Sequence, residues 1–193
     1  MNLGASGNGR GGSGLILTGN AQLTNNQGAN ITGGNGLAGG GFTAIYQLNP
    51  DGSKYVSPSG YYNILGSDPD PTSGSRGGSG ATVTGSNLAT SNLVNYGTIS
   101  GGDGAAGRTS SAGGAGITGL GYANILNFAV INAGKNGDGS LGSAVEFKNG
   151  NNRLDLRTGY VINGLATAGA TDWLGIGGSV DGTFDASKVG PSA

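Results

Sequence analysis

Few side chains in this sequence can titrate, ligate or attack. It has no Cys and no His. That removes disulfides, thiol nucleophiles, the usual catalytic triads and most zinc sites. The ten acidic residues are the remaining acid–base candidates. Asp155 with Asp51 or Asp172 is the pairing to weigh, because glycoside cleavage runs on two carboxylates flanking one bond. Nothing in the sequence sets their separation. Asp155 lies between Leu154 and Leu156, so strand alternation turns it outward beside Arg153 and Arg157. An ion pair there is worth about 0–1 kcal/mol. Glu146, between Val145 and Phe147, faces solvent by the same alternation. A serine nucleophile would need a lysine base, and none of the four lysines lies in a recognisable motif.

The glycine-rich runs invite two further chemistries. A phosphate-cradling loop needs a closing Lys-Ser/Thr, which runs such as Gly33-Gly34-Asn35-Gly36 lack. Calcium β-roll repeats place Asp in a recurring Gly-Gly-x-Gly-x-Asp pattern. In Gly101-Gly102-Asp103-Gly104 and Asn136-Gly137-Asp138-Gly139 the Asp is displaced and does not recur, so Asp103 and Asp138 read as solvated turn residues. The expectation is a chain with no catalytic, cofactor-binding or metal-binding residues, and not an enzyme. Threonine rows of the ice-binding kind fare no better, since Thr82, Thr84, Thr98 and Thr118 do not recur at one register across the repeats.

Binding is the remaining chemistry, and residues 42–73 carry it. This stretch holds Tyr46, Tyr55, Tyr61 and Tyr62 and four of the five prolines. Thr43–Leu48 reads as a strand, Asn49-Pro50-Asp51-Gly52 as a turn, and Lys54–Val56 as the return strand. Tyr61–Leu65 is a third strand candidate, and Ser67–Pro71 a stiff, extended exit. One reading is a protruding hairpin whose tyrosines contact a partner. The other is a cap whose tyrosines cover an open sheet edge.

These residues need a frame, and the frame is repetitive. Gly11-Gly12-Ser13-Gly14, Gly77-Gly78-Ser79-Gly80, Gly113-Gly114-Ala115-Gly116 and a degenerate Gly142-Ser143-Ala144 each open a segment. Each segment leads on to Ile31, Ile99, Ile131 or Ile162, which is followed closely by Gly. Each repeat reads as strand, turn, strand, turn and glycine-rich loop. Four-residue strands bury their apolar side only by stacking on the next repeat about 4.8 Å away. Leu, Ile, Val and Phe make up 38 of 193 residues, which suits a thin interior column. Leu17 or Leu15, Val83, Ile99, Ile117, Ile131, Leu154, Leu156 and Ile162 are the expected inward residues, and Trp173 is expected to pack in or against the last coils. At roughly 20 residues per coil the frame has on the order of eight coils. The expected fold is all-β: a right-handed parallel β-helix, or solenoid, with a short protruding insert. It forms one domain over 1–193, with coils at 1–41 and 74–190 and the insert at 42–73.

Composition excludes several classes. The 45 glycines rule out long helices. A net charge of −1 with scattered basic residues argues against nucleic-acid binding. No apolar run reaches the length of a membrane-spanning helix. Met1-Asn2-Leu3-Gly4 opens on neither a charged nor an apolar stretch, so no signal peptide is read in this chain.

The run Asn95-Tyr96-Gly97-Thr98-Ile99-Ser100-Gly101-Gly102, followed by Ala112–Ile117, resembles the passenger region of Gram-negative autotransporters. So do Gly150–Leu156 followed by Val161–Gly164, and Thr171–Gly178 with Gly182–Ser187. The resemblance covers residues 77–190 and, more loosely, 1–41. It implies a non-enzymatic, adhesin-like stalk, secreted or displayed at the cell surface, that presents loops to host or neighbouring cells. It implies a host-surface protein or glycan as partner, and a parent-protein translocator barrel if the chain is a fragment of a longer passenger. A glycan-binding or glycan-cleaving β-helix of tailspike or lyase type is the alternative expectation.

Overall fold

The structure, a computed structural model, describes residues 10–37, 42–46, 64–69, 75–106, 111–178 and 189–191. Every regular element among them is a strand of three to six residues, and none is a helix. Three parallel sheets take strands in fixed rotation. The first holds β1 (Leu15–Thr18), β6 (Ala81–Thr84), β9 (Ile117–Gly119), β12 (Ser143–Phe147), β15 (Leu165–Ala168) and β17 (Val189–Pro191), in that order. The second holds β2 (Gln22–Asn25), β7 (Ser91–Asn95), β10 (Ala123–Asn127), β13 (Arg153–Leu156) and β16 (Trp173–Ile176). The third holds β3 (Asn30–Thr32), β8 (Thr98–Ser100), β11 (Val130–Asn132) and β14 (Val161–Asn163). Between the first and second passes, β4 (Phe42–Tyr46) and β5 (Ile64–Pro69) form a separate antiparallel pair.

The register stacks like on like. In the third sheet Ile31, Ile99, Ile131 and Ile162 form one inward column. In the second, Leu23, Leu93, Ile125, Leu154 and Leu174 form another. The first contributes Leu15, Ala81, Ile117 and Val145, and beside them Leu17, Val83, Gly119 and Phe147. Gly119 is where the column needs space: a Cβ there would stand 2.7 Å from the Phe147 ring, too close for both to fit. Side chains one apart in sequence lie on opposite faces, so each short strand buries only one or two of them.

Most of the expected inward residues are buried, including Leu17, Val83, Ile99, Ile117, Ile131, Leu154 and Leu156. Leu15 and Ile162 pack against this core half-buried. Trp173 departs from expectation. It pairs with Arg153 on the outer face of the second sheet and is 62% exposed. Its neighbour Leu174 holds the inward position, and strand parity permits only one of the two to do so.

The repeat is also longer and richer than its sequence suggests. Ala81 pairs with Ile117, 36 residues on, Ile117 with Val145, 28 on, and Val145 with Ala166, 21 on. Each repeat is one pass through three strands, so the described residues hold fewer passes than eight. The strand missed in reading is the middle one, where asparagines flank the apolar residues, as in Ser91-Asn92-Leu93-Val94-Asn95.

The glycine-rich runs are not loops. The segments leaving the third sheet (33–36, 101–104, 133–135) and those entering the first (11–14, 77–80, 113–116) lie against each other as two backbone layers. Within a layer, Gly33 N–H donates to Ser100 O and Gly77 N–H to Ala112 O. Between layers the bonds zigzag: Gly34 N–H to Gly12 O, Gly78 to Gly34, Gly102 to Gly78, Gly114 to Gly102 and Gly134 to Gly114, at 2.8–2.9 Å. A Cβ on Gly33, Gly77, Gly101 or Gly113 would run into a carbonyl of the facing layer, and one on Gly78, Gly102, Gly114 or Gly134 into the carbonyl of the pass before in its own layer. Close approach of backbones, more than a need for positive φ, accounts for glycine here.

Candidate functional site

Tyr46 closes β4. Tyr55, Tyr61 and Tyr62 lie outside the described residues, as does the expected return strand at 54–56. Among the described residues the partner of β4 is Ile64–Pro69, which takes up the third strand candidate and the segment read as an extended exit. Residues 47–63, which join the two strands and include the expected turn at 49–52, also lie outside the described residues.

The carboxylates weighed for catalysis are held by local partners. Asp155 accepts from Arg153 Nε at 2.6 Å and from its terminal nitrogen at 3.1 Å. That bond holds Arg153 protonated more firmly than usual. Arg153 also lies over the Trp173 ring, 4.8 Å from its centroid. Asp155 faces outward as expected but is only 9% exposed. Asp172 accepts from the Asn152 backbone and side-chain amides and from Gly169 N–H. Asp103 accepts from Lys135 N–H, and Asp138 from the backbone and hydroxyl of Ser140. Asp51 lies outside the described residues. The amides of Gly33, Gly34 and Gly36 that a phosphate would need already donate to carbonyls.

Polar ladders are the feature that the sequence reading missed. Asn25 Nδ2 donates to Asn95 Oδ1 at 2.8 Å, and Asn95 Nδ2 to Asn127 Oδ1 at 2.7 Å. All three are buried at the corner between the second and third sheets. Each side chain also serves its turn. Asn95 accepts from Gly97 N–H and donates to Val130 O, and Asn127 bonds both the N–H and the O of Ala129. The ladder ends where Leu156 follows Asn127 in the register. Just outside it Tyr96 and Phe128 stack, with centroids 4.6 Å apart. A signal was present: Asn95 and Asn127 each stand four residues before the repeat isoleucine. Asn25 stands six before, which hides it. Outer ladders link Asn124 to Asn92, and Asn163 through Asn132 to Ser100.

Two concave surfaces stand out among the described residues, one of about 440 Å³ beside Arg153 and Asp155 and one that spans several passes. Along the outer side of the first sheet, over the segments entering β1, β6, β9 and β12, runs a groove of about 420 Å³ that crosses four passes. Arg10 and Ser13 line it from the first pass, Arg76 and Ser79 from the second, Thr118 from the third, and Ser143, Glu146 and Lys148 from the fourth. The hydroxyls are coupled between passes: Ser13 with Thr82 at 3.0 Å and Ser79 with Thr118 at 2.8 Å. Thr82, Thr118 and Glu146 share one outward column, whereas Thr84 lies in another and Thr98 in a different sheet. Glu146 is paired with Lys148 at 3.1 Å.

Comparison of the chain with family models, with curated proteins and with solved structures gave no match.

Proposed function

We propose that the three sheets are the faces of a right-handed parallel β-helix, and that the chain is a non-enzymatic display segment of the autotransporter-passenger type. Secretion or cell-surface exposure belongs to this reading, with residues 42–73 as the presented element. The observation that carries it is the residue-on-residue stacking in all three sheets, above all the isoleucine column and the buried asparagine ladder. Right-handedness follows from the rule for parallel crossovers in one sheet. In this reading the polar groups hold a frame together. Supporting the non-enzymatic part, Asp155, Asp172, Asp103, Asp138 and Glu146 are each bonded to local partners. A second reading, glycan binding, is favoured by the groove.

The display reading is tested by placing the chain between an export signal and an outer-membrane barrel. Protease added to intact cells should cut within 42–73 and leave the stacked passes whole. A chain that is never reached from outside, or is degraded throughout, overturns it. The stacking has its own check. Cysteines replacing Thr82 and Thr118 are registered neighbours and should join on mild oxidation, whereas Thr84 with Thr118 should not.

A further inference from the structure

We infer that the groove over the first sheet is a binding site for a linear acidic glycan, laid along the stacking direction across four passes. This rests on the glycan-binding reading and narrows it. Volume comes first: about 420 Å³ falls within the range of ligand-binding clefts. Its length is the second feature. A groove crossing four passes at about 4.8 Å per step has room for a few sugar rings in a row and is longer than a single small anion needs.

Charge sets the sign of the ligand. The lining carries three cations, Arg10, Arg76 and Lys148, against one carboxylate, Glu146. Among the described lining residues cations thus outnumber carboxylates, on a chain whose net charge is −1. Glu146 is paired with Lys148. Arg76 is exposed and has no carboxylate partner among the described residues. Gly11 N–H donates to Arg76 O, so Arg10 and Arg76 stand on adjacent passes. Both line the groove. Guanidinium forks suit carboxylate and sulfate alike.

The lining also identifies the polymer. Ser13, Ser79, Thr118 and Ser143 offer hydroxyls and Asn136 an amide, groups that exchange hydrogen bonds with sugar hydroxyls. Among the described residues no aromatic side chain lines the groove, so they offer the bases of a single-stranded nucleic acid no platform to stack on. Ala112 and Ala115 are the largest apolar members among the described lining residues, too small to hold the side chains of a peptide. Gly77, Gly78, Gly113 and Gly114 line it with bare backbone, and a Cβ at any of them would collide with a carbonyl of the facing layer or of the neighbouring pass.

The test is calorimetric titration of the full chain with three hexasaccharides: galacturonate, sulfated maltohexaose and plain maltohexaose. At least one acidic oligomer should bind about tenfold tighter than the neutral one, which separates carboxylate from sulfate as the anion. The affinity should fall as salt rises. Arg76→Ala and Arg10→Ala should each weaken binding about tenfold, the scale of one charge-assisted hydrogen bond. Arg76→Lys should lose less, and Arg157→Ala, outside the groove, should change nothing. Unchanged circular dichroism shows that the variants remain folded. Equal binding of plain maltohexaose overturns the acidic assignment while leaving glycan binding intact. Equal binding of single-stranded DNA of the same charge overturns the glycan assignment. An equal loss in Arg157→Ala overturns the site, and no binding of either acidic oligomer at millimolar concentration overturns the inference altogether.

Discussion

Replacing Asn95 with Ala tests whether the buried ladder holds the passes together. Asn95 is fully buried and makes four bonds: it accepts from Asn25 Nδ2 and Gly97 N–H, and donates to Asn127 Oδ1 and Val130 O. Truncation does not strand its neighbours equally. Asn25 Nδ2 keeps Thr98 O at 3.3 Å, and Asn127 Oδ1 keeps Ala129 N–H at 3.3 Å. Gly97 N–H and Val130 O lose the side-chain partner that reaches them. At about 1–3 kcal/mol for the orphaned Gly97 N–H, about 1 kcal/mol for the lost bond to Val130 O, which stays within the β8–β11 pairing, and a small cavity besides, the cost comes to about 3–4 kcal/mol. The ends of the ladder should cost less. Asn127→Ala removes the bonds to Ala129 and should cost about 2 kcal/mol. Asn25→Ala leaves Asn95 Oδ1 still accepting from Gly97, and should cost about 1 kcal/mol. Asn92→Ala, on the half-exposed outer ladder, should cost about 0.5 kcal/mol. Urea unfolding at unchanged slope reads all four. If Asn95→Ala costs no more than Asn92→Ala, the inner ladder is filler and the reasoning fails.

Three further perturbations address other parts of the frame. Gly102→Ala drives a methyl group into the Gly34 carbonyl and should cost about 1–3 kcal/mol in the same urea assay, whereas Gly19→Asn, at φ +73° with nothing within 4 Å, should cost less. Equal losses would show that the glycine layers tolerate side chains. The Asp138 carboxyl sits below its ordinary value because the Ser140 hydroxyl and then its backbone N–H donate to it. A depressed folded value means that the turn is fully stabilised above the ordinary carboxylate range and loses that contribution as pH falls through the lowered value. Carboxyl-carbon NMR should show a low titration midpoint that Ser140→Ala moves up, and an unmoved midpoint would assign the shift elsewhere. Replacing 42–73 with a short Gly/Ser linker should leave the melting transition intact, since loop closure grows only slowly with length. Aggregation or lost cooperativity would make the insert a cap, with Tyr46, Tyr55, Tyr61 and Tyr62 part of the frame.

Parts of this protein are legible in its sequence because stacking repeats local features. Ile31, Ile99, Ile131 and Ile162 mark one column because each is followed by a glycine within two or three residues, and side-chain alternation alone puts Asp155 and Glu146 on the outer face. The absence of Cys and His needs no fold to interpret. Other parts depend on which residues of different passes meet. Trp173 is apolar, and only register with Arg153 puts it outside. Asn95 has the composition of a turn, and becomes buried structure only because Asn25 and Asn127 lie directly above and below it. The glycine runs signal flexibility to a local reading, yet two backbone layers packed carbonyl to amide remove that freedom. The groove has no sequence signature at all. Arg10, Arg76 and Lys148 are far apart along the chain, and only the stacking of four passes brings their charges to one surface.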